Sequence, residues 1–274
     1  MNQIDTESIS RYEKNGYLVI RDGISKEAIN ELSDFIAHVI KIEASRLSIV
    51  ETDNEKLLNQ IMIQIKKENP ISASWIYETI NNSNVFKKFI YNLQLESIVS
   101  KLIDTDNENN IGTVSPALRI DIPHDDKNIR DWHQDGSYFL DNMNGNNSLV
   151  VWISLGTSNK ENGGVIICPK SHLEKKIKSD YKKEGKLKSE QHIAPQSIIE
   201  KYDQTHLVTK KGDVAFIQMD TIHKSGYNSS NVVRYTAQIR FTNIAKNDYN
   251  PPTQSAKYRN YLRPLQLTTD IIKK

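Results

Sequence analysis

Two histidines and one aspartate carry the most distinctive chemistry open to this chain: His133 and Asp135, in Trp132-His133-Gln134-Asp135-Gly136, and His223 far downstream. Two imidazoles and one carboxylate can occupy one face of an octahedral metal and leave three positions open, the ligand set of non-haem Fe(II) oxygenases. Arg234, eleven residues past His223, could then grip an anionic co-substrate through two parallel hydrogen bonds.

His-x-Asp spacing alone selects nothing, because the chain holds three His-x-acidic triplets. His124-Asp125-Asp126 follows Pro123 in a polar stretch, and His172-Leu173-Glu174 follows Pro169-Lys170-Ser171, so both read as loop. His133 and Asp135 instead precede Tyr138, Phe139 and Leu140 and then an apolar strand from Leu149 to Leu155. In an extended chain, residues two apart share a face, so this pair converges while Gln134 points away. Further on, Lys211-Gly212-Asp213 is a turn, Val214 to Met219 is a strand, and His223 falls at its end. After the turn Asn228-Ser229-Ser230-Asn231, the chain alternates. Arg234, Thr236, Gln238 and Arg240 share one face, and Val233, Tyr235, Ala237, Ile239 and Phe241 share the other. The apolar face must be buried, so the polar face lines either water or a cavity.

These motifs, together with Glu161-Asn162-Gly163-Gly164, Pro169-Lys170-Ser171-His172, Gly212-Asp213 and the opening Asn15-Gly16-Tyr17, resemble the phytanoyl-CoA dioxygenase family of Fe(II)/2-oxoglutarate-dependent oxygenases over roughly residues 8 to 245. The resemblance implies that His133, Asp135 and His223 ligate iron and that Arg234 binds the distal carboxylate of 2-oxoglutarate. Ser225 and Trp152 match positions lining the co-substrate pocket, and Gln134, of the same first motif, is carried over with them as a co-substrate-binding residue that the resemblance implies. The implied reaction couples O2 and 2-oxoglutarate to oxidation of a small polar or anionic metabolite, with release of succinate and CO2. Relatives that halogenate replace the carboxylate with a small residue. Asp135 is present here, which favours hydroxylation, desaturation or ring formation. The alternative is a non-oxidative cupin-like metal protein, an isomerase or ligand sensor, and Arg234 with Ser225 argues against it.

The elements that must position these residues follow from pattern. Ser25 caps a helix from Lys26 to Ile42, and residues 55 to 69 and 84 to 103 also read as helix, separated at Asn69-Pro70. Short strands are expected at 111 to 122, 149 to 155, 164 to 168, 206 to 209, 214 to 219 and 232 to 243. Helices followed by short antiparallel strands predict a mainly β fold with helical additions, a double-stranded β-helix or jelly roll flanked by N-terminal helices. The whole chain reads as one domain, helix-rich over 1 to 104, with a β core from about 105 to 245 and an extension from 246 to 274. The apolar strand face at Val233 to Phe241 should meet the helices. Arg119, on the strand before the first motif, should reach the cavity and contact substrate or 2-oxoglutarate, or else form a structural ion pair. Trp132 and Tyr138 read as packing residues, and Asn228 as a turn residue.

Charge is balanced at 36 basic and 34 acidic residues, so there is no general case for nucleic acid. Cys168 stands alone, which excludes an intrachain disulfide, fits a reducing compartment and suggests a packed thiol. The N-terminus lacks a signal-peptide pattern and no apolar run spans a membrane, so a cytoplasmic location is expected. Eight lysines between Pro169 and Ser189 mark a solvated surface segment or a lid attracting anions.

Overall fold

Side-chain caps start the helical layer where the sequence supplies oxygen acceptors. Asp5 accepts the Ser8 N–H at 2.7 Å to begin α1 (Thr6–Asn15), and Ser25 accepts the Ala28 N–H at 3.2 Å to begin α2 (Lys26–Arg46). The structure is a computed structural model that describes residues 4–126, 129–138, 145–182, 191–247 and 249. Between α1 and α2 lies β1 (Tyr17–Ile20). A short α3 (Asn54–Lys56), a π-helical turn at Leu57–Ile61 and α4 (Met62–Glu68) follow. Next come α5 (Pro70–Asn82), α6 (Asn84–Tyr91) and α7 (Glu96–Leu102).

Two departures from expectation concern residues 70 to 103. Residues 84 to 103 form two helices, because Gln94 adopts a left-handed φ of 51° between them. The α5 helix was not anticipated: Pro70 reads as a separator, yet it occupies the first helical turn, where proline's fixed φ suits the helix and its missing N–H costs nothing.

The β layer comprises β2 (Ile111–Asp121), β3 (Ser148–Ser154), β4 (Ile166–Ile167), β5 (Asp180–Lys182), β6 (Gln191–Ile193), the short helix α8 (Gln196–Ile199), β7 (Thr205–His206), β8 (Val214–Gln218), β9 (His223–Lys224) and β10 (Arg234–Asn243). Strands β1-β8-β3-β10-β2 form an antiparallel sheet, β7-β4-β9 form a second, and β5 pairs with β6. The expected strands at 164 to 168 and 206 to 209 shrink to two residues each.

Strand alternation divides the core. Val233, Tyr235, Ala237, Ile239 and Phe241 pack with Ile36, Ile40, Ile76 and Ile80 of the helices on the outer face of the large sheet. Its inner face contributes Val150, Trp152, Ala215 and Ile217, which meet Ile167 of the small sheet and Val165 and Leu207 flanking its strands. Two antiparallel sheets closed on each other, with helices outside one of them, form a mixed α+β jelly roll. The π turn ties the layers together: Asn59 accepts the Val233 N–H at 3.1 Å and Leu58 carbonyl accepts the Tyr235 hydroxyl at 2.6 Å. No helix among the described residues is long and apolar enough to cross a membrane. The described part of the lysine-rich segment includes β5, while residues 183 to 190 and nearly all of the expected C-terminal extension lie outside the described residues, as do Phe139 and Leu140.

Candidate metal centre

His133 and His223 are joined through their backbones. Each N–H donates to the other's carbonyl, at 2.9 and 3.0 Å, a single antiparallel bridge between distant segments. His133 therefore sits on an isolated bridge instead of a strand. His223 opens β9 instead of ending β8, because the turn Met219 to Ile222 intervenes. Gln134 is extended, with φ −105° and ψ 132°, so Asp135 still returns to the His133 face before a 3-10 turn carries the chain off.

The two imidazoles are oriented alike. Nδ1 of His133 lies 2.6 Å from the Asp131 carbonyl and Nδ1 of His223 lies 2.9 Å from the Thr221 carbonyl. A carbonyl only accepts, so both Nδ1 atoms carry the proton and both Nε2 lone pairs remain for a metal. Those Nε2 atoms lie 3.3 and 3.6 Å from Oδ1 of Asp135. The other oxygen, Oδ2, takes the Arg240 Nε–H at 3.0 Å. Burial alone would raise the Asp135 pKa, but Arg240 and the imidazoles reverse this and hold the carboxyl well below the usual range. Burial, with His133 alongside, pushes His223 down to about 4, so it is neutral near pH 7. Ligand atoms of His133, Asp135 and His223, all buried, lie within 4.8 Å of one another. This donor set, with its tautomers fixed, fits a divalent metal on three sites.

The triad opens on a cavity of about 200 Å³. Trp152, Ser225 and Arg119 line it, and so does Tyr138, which the sequence reads as packing. Gln134 and Arg234 do not line it. Gln134 is a buried brace: its amide donates to the Lys175 and Asp220 carbonyls, both at 2.7 Å, and accepts the Ile177 N–H at 3.0 Å. Arg234 is engaged beside the Glu161-to-Gly164 turn. It donates to the carbonyls of Asn162 at 3.1 Å and Gly163 at 2.8 Å, and to the Thr236 hydroxyl at 2.9 Å. Its Nη2 also lies 3.0 Å from Asp121 Oδ2, an ion pair whose angle leaves that oxygen without a hydrogen bond.

Close backbone packing sets these positions. A Cβ on Gly226 would meet the Gly164 carbonyl oxygen at 2.6 Å, so the turn after Ser225 and the turn holding Arg234 pack only as glycine against glycine. The Pro169-to-His172 segment braces the other side. Ser171 accepts the Ile222 N–H at 2.8 Å and His172 Nε2 lies 2.8 Å from the Glu13 carbonyl, beside the Gly16 turn. The third triplet, with His172, is thus structural. Asn228 shapes its turn, its amide donating to the Asp121 and Val232 carbonyls.

Tyr77, Arg130, Lys224, Gln238 and Arg240 also line the cavity and were not expected there. Gln238 and Arg240 share the polar face with Arg234, so strand phase already pointed to them. Tyr77 comes from the unanticipated α5, Arg130 lies on the loop before His133, and Lys224 follows His223 on β9.

A jelly roll that gathers two imidazoles and a carboxylate on the wall of a cavity has the donor set of a metal centre. The family model for phytanoyl-CoA dioxygenase (PhyH) matches residues 12–236, and the chain belongs to that family. The non-heme alpha ketoglutarate dependent carbocyclase SnoK from nogalamycin biosynthesis is similar in fold, with TM-score 0.56 and 17% identity over 93% of this chain and 89% of that one. So is the epimerase SnoN in complex with Fe3+, alpha ketoglutarate and nogalamycin RO, with TM-score 0.56 and 14% identity over 86% and 82%. EvdO2 from Micromonospora carbonacea var. aurantiaca, complexed with 2-oxoglutarate, matches with TM-score 0.56 and 14% identity over 93% and 94%. No curated protein matches the chain by sequence.

Proposed function

We propose that the protein is an Fe(II)- and 2-oxoglutarate-dependent dioxygenase that hydroxylates a small polar molecule. One observation carries the reading: two Nε2 lone pairs and one carboxylate oxygen converge on the wall of a cavity lined by polar and cationic side chains. His133, Asp135 and His223 would hold the iron. Iron held there would supply the oxidation of a substrate carbon, coupled to conversion of 2-oxoglutarate and O2 to succinate and CO2.

The protein's own part is orientation and exclusion of water. The Asp131 and Thr221 carbonyls fix the imidazoles, and Arg240 holds Oδ2 of Asp135, turning Oδ1 toward the two Nε2 atoms. Trp152 and Val165 give the cavity apolar wall between its charged groups. Epimerase and carbocyclase neighbours favour a second outcome of the same oxidation, in which the substrate radical rearranges or closes a ring instead of gaining a hydroxyl.

Anaerobic addition of Fe(II) and 2-oxoglutarate tests the co-substrate half. A weak visible charge-transfer band is expected; its absence from iron-loaded protein rejects the reading. On admitting O2 with substrate, His133→Ala should form no succinate. Product mass then separates the outcomes, a gain of one oxygen atom against a loss of two hydrogens or no change.

A further inference from the structure

A second cavity, of about 530 Å³, lies on the helix side of the large sheet, away from the metal. Alternation along β8 puts it there. Ala215 and Ile217 face the small sheet, Phe216 faces the helices, and Gln218, two residues beyond Phe216, lines the cavity. Tyr12 of α1, Lys101 of α7, and His172 and Lys175 from the segment after Pro169 close around it.

Three buried polar atoms on this wall have no hydrogen-bond partner among the described residues. They are Tyr12 Oη, His172 Nδ1 and Gln218 Oε1, on residues only 1%, 6% and 5% exposed. A polar atom sealed from water and left unpaired destabilises a fold. Three of them at one cavity point to a molecule that supplies the missing hydrogens.

The contacts around each atom say what that molecule must offer. His172 Nε2 gives its proton to the Glu13 carbonyl at 2.8 Å, so Nδ1 is a bare acceptor. A Cβ on Gly16 would collide with that nitrogen, and glycine leaves a gap beside it. The Gln218 amide nitrogen donates to Asn146 Oδ1 at 2.7 Å, which orients the amide and leaves Oε1 to accept. The Tyr12 hydroxyl accepts as well as donates. Acceptors grouped in this way match the hydroxyls of a sugar. Of the five charged side chains on the wall, Lys246 pairs with Asp104 at 3.1 Å. The others, Lys101, Lys175 and Glu13, leave the wall net positive. Lysine recognises phosphate as a point charge, and the volume suits a small molecule.

We propose that this cavity binds a phosphorylated sugar, with its hydroxyls on Tyr12, His172 and Gln218 and its phosphate toward Lys101 and Lys175. The site is separate from the metal centre and does not rest on the reading above.

Glucose 6-phosphate, ribose 5-phosphate, sorbitol and inorganic phosphate are titrated separately into metal-free protein in EDTA, so that no metal on the triad takes up phosphate. Binding is read by calorimetry and by melting temperature. At least one sugar phosphate should bind in the millimolar range or below, about 10-fold or more tighter than sorbitol or inorganic phosphate, because it engages both acceptors and lysines. Tyr12→Phe removes one unpaired oxygen and keeps the ring. Without ligand its melting temperature should equal or exceed that of wild type, and its affinity for the sugar phosphate should fall about 2- to 10-fold, the loss of one hydrogen bond. The double variant Lys101→Met/Lys175→Met should bind the sugar phosphate no better than sorbitol. A lower melting temperature for ligand-free Tyr12→Phe would show that the hydroxyl is already bonded within the protein, and overturns the site. So do equal affinity for inorganic phosphate, binding that the tyrosine and lysine variants leave unchanged, and failure of both sugar phosphates to bind.

Discussion

Arg240 allows the strongest test of how the metal centre is held before metal arrives. Its Nε–H donates to Asp135 Oδ2 at 3.0 Å, and both side chains are almost fully buried. At that distance, with an effective dielectric of about 20, the pair attracts by roughly 5 kcal/mol before desolvation is charged against it. Arg240→Met keeps the volume and removes the charge. The metal-free variant should lose about 3–5 kcal/mol, the usual cost of stranding one member of a buried pair, and melt roughly 10 °C lower. A divalent ion on His133, Asp135 and His223 replaces the missing cation beside the same carboxylate. Metal should therefore raise the melting temperature of Arg240→Met more than that of wild type, measured by differential scanning calorimetry in EDTA and then with Co(II). Metal-free stability equal to wild type, or a smaller metal-induced shift, would show that Asp135 is not balanced by Arg240.

Three other outcomes follow from particular contacts. Gly226→Ala places a Cβ against the Gly164 carbonyl; it should cost about 1–3 kcal/mol in urea unfolding and weaken 2-oxoglutarate binding through Ser225, and an unchanged midpoint would contradict the close-packing argument. Burial lowers the pKa of His172 in the fold. Its stabilising contribution is thus complete above the unfolded value near 6.5 and falls as pH drops below it, by up to about 1.4 kcal/mol per pH unit, so His172→Asn should flatten the stability–pH slope between 7 and 5 in metal-free protein. Cys168 is buried and its thiol is pushed up to about 11. Iodoacetamide at pH 8 should leave the native protein unmodified and add one group in urea, and a native adduct by mass spectrometry would show the thiol to be exposed.

Much of the site was readable because its residues obey local periodicity. Two-residue strand phase set His133 and Asp135 on one face, and alternation in Val233 to Phe241 separated the helix-facing side chains from the cavity-facing ones. Phase cannot report what lies opposite. Arg234 and Arg119 both carry the right charge on inward faces, and the partners that occupy Arg234 come from a turn some seventy residues earlier and from a neighbouring strand. The loss of α5 had a different origin. Its apolar residues, Ile71, Ala73, Ile76 and Ile80, are diluted by Ser, Asn and Thr, and Pro70 reads equally as a stop or as a first turn. The single helix expected over residues 84 to 103 failed because apolar spacing continues through a break that only the backbone of Gln94 reveals. Gln134 reads from strand phase as facing away and from the resemblance as a co-substrate contact; it lies off the cavity wall, and its contacts as a three-way brace depend on loops whose approach no spacing records.

The reciprocal main-chain bond between His133 and His223 reaches beyond ligand geometry. Zinc fingers are assembled by their ion, and stripping the metal unravels them. Here peptide groups, which neither titrate nor depend on metal supply, already hold the two imidazoles together. Folding and loading are thereby separate events: the chain can reach its final shape first and acquire iron later, lose it and be recharged, with little ordering entropy due at each capture. Iron scarcity would idle such a protein without destroying it.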